Sequence, residues 1–138
     1  MTTMLFERIG DVIVLVHNSK HPSEDEWSRY VNAVDICQRS PQQLRGVLVT
    51  SLGGAPNTGQ RKAIVTAAGP QLFVTCVCTD SMVARGVITA INWLYAARVH
   101  ALPFHAIDPA LEILKVPLDE RPALKALAQR LQAELLSS

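Results

Sequence analysis

The hydrophobic and polar positions of this chain change period several times, and the changes mark its elements. The most informative stretch runs from Gln71 to Leu94, QLFVTCVCTDSMVARGVITAINWL. Leu72 to Cys78 is a nearly continuous run of β-branched, aromatic and cysteine side chains, the pattern of a strand covered by helices on both faces. At Thr79-Asp80-Ser81 the run turns into an amphipathic helix spanning Met82 to Arg98, for which Asp80 or Ser81 supplies a capping oxygen. A strand feeding a helix in this way is half of a βαβ unit.

Upstream, Met4 to Ile9 and Val12 to Val16 are short β-rich runs joined by the turn dipeptide Gly10-Asp11, which predicts a hairpin. His17 to Pro22 reads as a polar connection. Ser23 with Glu26 three residues later is a reciprocal helix cap, and Trp27, Tyr30, Val31, Val34 and Cys37 then recur at helical spacing, so a helix is expected from Glu24 to Arg39. Arg45 to Ser51 is the next strand. The irregular stretch Leu52 to Gly59 follows it, and a shorter helix, Gln60 to Ala68, leads to Gly69-Pro70 and the central strand. Downstream, Ala101 to Ala106 reads as a last strand, Pro109 to Lys115 as a short helix, and Asp119 to Leu136 as a final helix. Leu124, Leu127, Ala128, Leu131 and Leu135 form one stripe along that last helix.

The order is therefore β-β-α-β-α-β-α-β-α-α. It implies one α/β domain over residues 1–138, with a five-stranded, mostly parallel sheet and one antiparallel edge strand. A length of 138 residues suits a single domain, and 49% apolar residues with 5% aromatics predict a core of Val, Leu, Ile and Ala. The net charge of +1 carries no basic run, which argues against nucleic acid as a partner and against a polybasic membrane patch. Glu7 and Asp11 stand where a secretory peptide would need an apolar block, and no apolar run is long enough to span a membrane, so the expected location is the cytoplasm. Cys37, Cys76 and Cys78 lack metal or redox spacing and read as buried thiols.

The element order, the Gly-rich loop after the third strand and the segment Val77 to Leu94 resemble the STAS domain, the sulphate-transporter and anti-sigma-factor-antagonist fold. More narrowly, the chain resembles the stand-alone bacterial proteins described as similar to the sporulation antagonist of anti-sigma factor. That fold is shared in shape with lipid-binding CRAL-TRIO domains. The resemblance implies a non-catalytic regulatory module that binds a protein partner. Switching members carry Asp-Ser-Ser-Gly or Asp-Ser-Thr-Gly at the start of the second helix, with the first Ser phosphorylated by a partner kinase. Here Gly59 and Thr58 fit the end of that motif, while Asn57 stands at the phosphorylated Ser and Pro56 replaces the Asp. Thr58 and Ser51 are the nearest hydroxyls and the candidate phosphorylation sites.

Other chemistries fit less well. Gly54 to Gly59 has the glycine spacing of a phosphate cradle, but Gln60-Arg61 follows where a Lys and a Ser or Thr are needed, and Pro56 removes a donor. Weak anion binding assisted by Arg61 or Lys62 is the most the loop suggests. Ser51 lacks a nucleophile elbow. His17, His21, His100 and His105 have no ligand spacing, and no metal or cofactor is implied.

Ser81, Arg85, Thr89 and Asn92 make a narrow polar stripe on the Met82 helix, which implies a helix packed around most of its circumference. That stripe is expected beside the Gly-rich loop, because both follow the carboxyl ends of parallel strands. Gly86 is expected to permit close packing. The expected partner surface is thus Gly53, Gly54, Asn57, Thr58, Gly59, Arg61, Ser81 and Arg85. The alternative is a small-ligand or lipid carrier with an enclosed apolar cavity of a few hundred Å³ or more. The apolar breadth of the Met82 helix, with Trp27 and Tyr30, is a candidate homodimer face.

Overall fold

The computed structural model describes residues 1–69, 73–95 and 98–137. Its elements are β1 (Met4–Ile9), β2 (Val12–His17), α1 (Glu24–Arg39), β3 (Gly46–Ser51), α2 (Thr58–Ala68), β4 (Val74–Thr79), α3 (Met82–Tyr95), β5 (Val99–Leu102), α4 (Ile107–Ile113) and α5 (Arg121–Ser137). The five strands lie side by side in chain order, with β1 antiparallel to β2 and every later pair parallel. The expected α/β class and element order are those observed.

Side chains alternate along each strand, so the sheet buries two faces. Ile13, Leu15, Val47 and Val49 point to one, where Trp27, Tyr30, Val34 and Cys37 of α1 close over them. Val12, Val14, Val16, Leu48, Cys76 and Cys78 point to the other, against α4 and the Leu124-Leu127-Ala128-Leu131-Leu135 stripe of α5. The register pairs Val47 with Thr75 and Val49 with Val77, so the β4 residues that line the space under α3 share the face covered by α1. Helices α1, α2 and α3 thus occupy one face, as successive crossovers of a single hand require.

The centre of the sheet is not where the apolar run suggested. Every residue of β2 and β3 is buried. In β4, Thr75 and Val77 are only half-buried, because a gap lies over them. The expected start of that strand at Leu72 falls outside the described residues.

Several boundaries also move for local reasons. Helix α3 was expected to reach Arg98 and the last strand to start at Ala101, but α3 is Met82–Tyr95 and β5 is Val99–Leu102. The Asn92 amide donates to the Val99 carbonyl at 2.8 Å and accepts from the Val99 N–H at 3.1 Å, which pins β5 two residues early. The Thr75 N–H bonds the Arg98 carbonyl at 2.9 Å and extends the same ladder. Helix α2 starts at Thr58, not Gln60, because Asn57 caps it. Helix α4 is Ile107–Ile113, not Pro109–Lys115, with Pro109 in its first turn, where the missing N–H has no helical partner to lose. Helix α5 begins at Arg121, two residues later than expected.

Candidate functional site

The carboxyl ends of β2, β3 and β4 bring His17, Ser51 and Thr79 into one register row. All three are buried. Ser51 and Thr79 use their hydroxyls to start the loops that follow them. Ser51 Oγ donates to the Gly54 carbonyl at 2.7 Å and accepts from the Gly53 N–H at 3.0 Å. Thr79 Oγ1 accepts from the Ser81 N–H at 3.1 Å. Ser51 is 2% exposed and so offers no accessible phosphoacceptor in this conformation. Thr58, the other candidate, is exposed in the first turn of α2, and its hydroxyl accepts from Arg61 Nη2 at 2.9 Å.

The loop between Ser51 and α2 is held from both sides. Gly54 lies against the Asn18–Lys20 backbone, where a Cβ would collide with the Lys20 carbonyl. His21 Nδ1 sits 2.9 Å from the Ala55 carbonyl. Asn57 Oδ1 accepts from the Gln60 N–H at 2.9 Å, while Gln60 Oε1 accepts from the Asn57 N–H at 2.9 Å, a reciprocal cap at the start of α2. The phosphorylated position of the resembled motif is therefore filled here by a capping side chain. The cap also occupies the helix N-terminus, and Arg61 Nη1 turns back to the Pro56 carbonyl at 3.1 Å, so the anion-binding arrangement is taken up by the loop itself.

Two contacts were not visible as sequence spacing. Gln60 Nε2 donates to the Pro22 carbonyl and to Glu24 Oε1, tying the start of α2 to the start of α1. Glu26 closes the cap of α1 and also accepts from Thr3 Oγ1 at 2.6 Å and from the Thr3 N–H at 2.8 Å. Its partners lie 23 residues away, and only the capping half is a local signal.

The rim brings together most of the residues singled out. A Cβ on Gly53, whose φ is +138°, would lie 3.8 Å from Ser81 Oγ, so the loop abuts the start of α3. Ser81 Oγ caps α3 by accepting from the Ala84 N–H at 3.2 Å. Asp80 instead accepts from the Phe104 N–H. Asn57, Thr58 and Gly59 are exposed, while Gly54 is buried beneath them.

The surface of α3 reverses the expectation. Of the polar stripe, Ser81 is a cap, Asn92 is spent on β5 and Arg85 is half-buried. The uncovered side is mainly apolar: Met82 is 87% and Trp93 86% exposed, with Val83 and Leu94 beside them, and of the stripe Thr89 alone is exposed, its hydroxyl donating to the Arg85 carbonyl at 3.1 Å. Gly86 does not pack closely, since a Cβ there would meet nothing within 4 Å. Trp27 and Tyr30 belong to the core and not to an outer face.

Between α2, α3 and the sheet lies a cavity of about 110 Å³ with almost wholly apolar walls, among them Leu15, Ile64, Val77, Ala84 and Ile88. It runs from His17 and Ser51 at the carboxyl end of the strands to Arg98 at the amino end. His17, which the sequence pattern assigns to a polar connection, is instead the last residue of β2 and 5% exposed. Its ring stacks on Trp27, and Nδ1 is enclosed with no hydrogen-bond partner among the described residues. Burial drives its pKa down to about 4, against the upward pull of Glu26 and with a further push from His21, so the ring is neutral at pH 7.

On the opposite face Cys76 and Cys78 are free, buried thiols near the Ala110 and Ala106 carbonyls. Among the described residues, no three His, Cys, Asp or Glu side chains group as a metal site, and no helix is long and apolar enough to cross a membrane. No protein-family model matches the chain, and no curated protein matches it in sequence.

Proposed function

We propose that the chain is a non-catalytic regulatory interaction module of the bacterial cytoplasm, of the STAS type, which binds a protein partner through the rim formed by Gly53 to Gly59 and the start of α3. The observation that carries the reading is the juxtaposition at that rim. Exposed Asn57 ends a loop anchored at Ser51, Gly54 and His21, exposed Thr58 and Gly59 open α2 directly after it, and Gly53 of the loop abuts Ser81, which the outward-facing Met82 and Val83 follow in the chain. A firmly held loop presenting polar tips beside exposed apolar side chains suits recognition, because little ordering entropy remains to be lost on binding. Thr58 is the phosphoacceptor this reading favours, with Arg61 beside it to meet the added charge. Lipid carriage is less well supported, since the cavity of about 110 Å³ is below the few hundred that a carrier needs.

Affinity capture from the native host tests the proposal. Thr58→Glu and Arg61→Ala should each abolish capture of the partner with the melting temperature almost unchanged. Capture that survives both substitutions, or fails only where the protein unfolds, overturns it.

A second reading concerns self-association through α3. Met82, Val83, Trp93 and Leu94 are exposed together, and Gly86 leaves the helix surface between them open to a close approach. In a two-fold pair the same face serves both copies. Sedimentation at micromolar concentration should show a dimer for the wild type and a monomer for Trp93→Glu. A monomeric wild type rejects the pairing.

A further inference from the structure

We infer that the space beneath α2 and α3 is a preformed binding site for a small, uncharged, apolar molecule, of the size of one aromatic ring or a short branched hydrocarbon. The inference needs no protein partner.

Three observations converge. The first is that the fold holds the space open. Helix α2 is drawn toward α1 at both ends: the Trp27 indole N–H donates to the Gln60 carbonyl at 2.8 Å, and Gln38 Nε2 donates to the Ala68 carbonyl at 2.9 Å. Helix α3 is drawn toward the other edge of the sheet. Its start is capped by Ser81, whose N–H is bound to Thr79 Oγ1, and its last turn is joined to β5 through Asn92 and Val99. Sliding either helix over β4 to close the gap would break these bonds and leave their partners unpaired. A pocket present before its occupant arrives is the usual form of a small-molecule site.

The second is what lines it. Ala55 of the loop, Ala68 of α2 and Ala84 of α3 converge there, all buried, so three of the walls end in a single methyl group. Around them Ile64, Val77 and Ile91 are only half-buried, although β2 and β3 alongside are wholly covered. An apolar occupant would take that surface out of water and add dispersion contacts. A charged one would have to shed its hydration to enter.

The third is size. An apolar cavity of about 150 Å³ accepts a benzene ring, and the space here, about 110 Å³ and open to the surface at its mouth, suits one ring or a short branched chain. Gly54, Ala55 and Pro56 line one end of it. An occupant therefore touches the loop of the proposed partner surface from beneath, and the two sites share a wall.

Toluene tests the inference on the full chain alone, with the methyl resonances of Ile64, Val77 and Ile88 and the Gly54 amide as reporters. These signals should shift saturably, and nuclear Overhauser contacts should join the toluene protons to the same three side chains. Met82 and Leu118, which are exposed elsewhere on the surface, are the control for adsorption to any apolar patch. Ala84→Leu fills the space from α3 and should weaken toluene binding by about tenfold or more. The inference is overturned by the absence of a saturable shift, by contacts confined to Met82 or Leu118, or by an Ala84→Leu protein that binds toluene as tightly as the wild type. The wild-type contacts stand without any variant, so a substitution that failed to fold would not remove the test. Partner capture is measured without toluene, so the failure of that surface and the failure of this site are read separately.

Discussion

His17 and Trp27 lie ring over ring, with centroids 6.3 Å apart and 23° between their planes, at the point where β2 hands the chain to α1. The imidazole is held neutral there by burial, and the pH dependence of folding should show it. Its pKa falls from 6.5 to about 4 on folding. Below pH 6.5 the unfolded chain takes up a proton that the folded chain refuses, so stability falls as pH drops from 6.5 toward 4. The loss should approach about 3 kcal/mol. Chemical denaturation at pH 7, 5.5 and 4 measures it. His17→Phe should flatten that part of the curve, and an unchanged slope would mean that the ring is charged inside the fold.

Glu26 governs a lower window. Burial alone would raise its pKa, but hydrogen bonds from the hydroxyl and N–H of Thr3 and from Ser23 outweigh it and bring the value down from 4.5 to about 2. Its contribution is complete above pH 4.5 and is lost as pH falls through 2. Glu26→Gln keeps the shape but weakens the charged acceptor, and should cost about 1–3 kcal/mol at pH 7. It should also remove the acid-dependent loss between pH 4.5 and 2. The first residues of β1 should then exchange amide protons faster, because the Thr3 N–H is bound to this carboxylate.

Two glycines should respond in opposite directions to the same substitution. Gly54→Ala places a methyl group against the Lys20 carbonyl and within 2.8 Å of the Asn18 oxygen, neither of which is a flexible side-chain end. The loop must shift, at a cost of about 1–3 kcal/mol. Gly86→Ala meets open space on a helix interior and should stabilise the monomer by about 0.5–1 kcal/mol. Thermal denaturation of the two variants side by side checks both signs.

The thiols on the α4 face should be chemically silent. Burial, with Cys78 as a neighbour, pushes the Cys76 thiol up to about 12, and burial pushes Cys78 up to about 11. At pH 8 neither presents a thiolate. A thiol-reactive dye should label these two positions only after denaturant is added. Labelling of the folded protein would show that α4 opens.

The sequence by itself determined the class and order of the elements, because each rests on neighbours a few residues apart. The Ser23–Glu26 cap, the Trp27-Tyr30-Val34-Cys37 stripe and the Leu124-to-Leu135 stripe were legible at their true places. So was the meeting of the glycine loop with the start of the Met82 helix, which follows from parallel strands sharing one carboxyl edge. Tertiary structure alone decided what covers what. The run around Cys76 and Val77 reads as a strand buried on both faces, yet only the fold reveals the gap beneath α2 and α3. Burial of His17 likewise depends on Trp27 arriving from another element, and so does the bond from Thr3 to Glu26. The same logic explains α3: an apolar side chain is written identically whether a sheet, a partner or water lies over it, and only the packed chain shows that Met82 and Trp93 face outward.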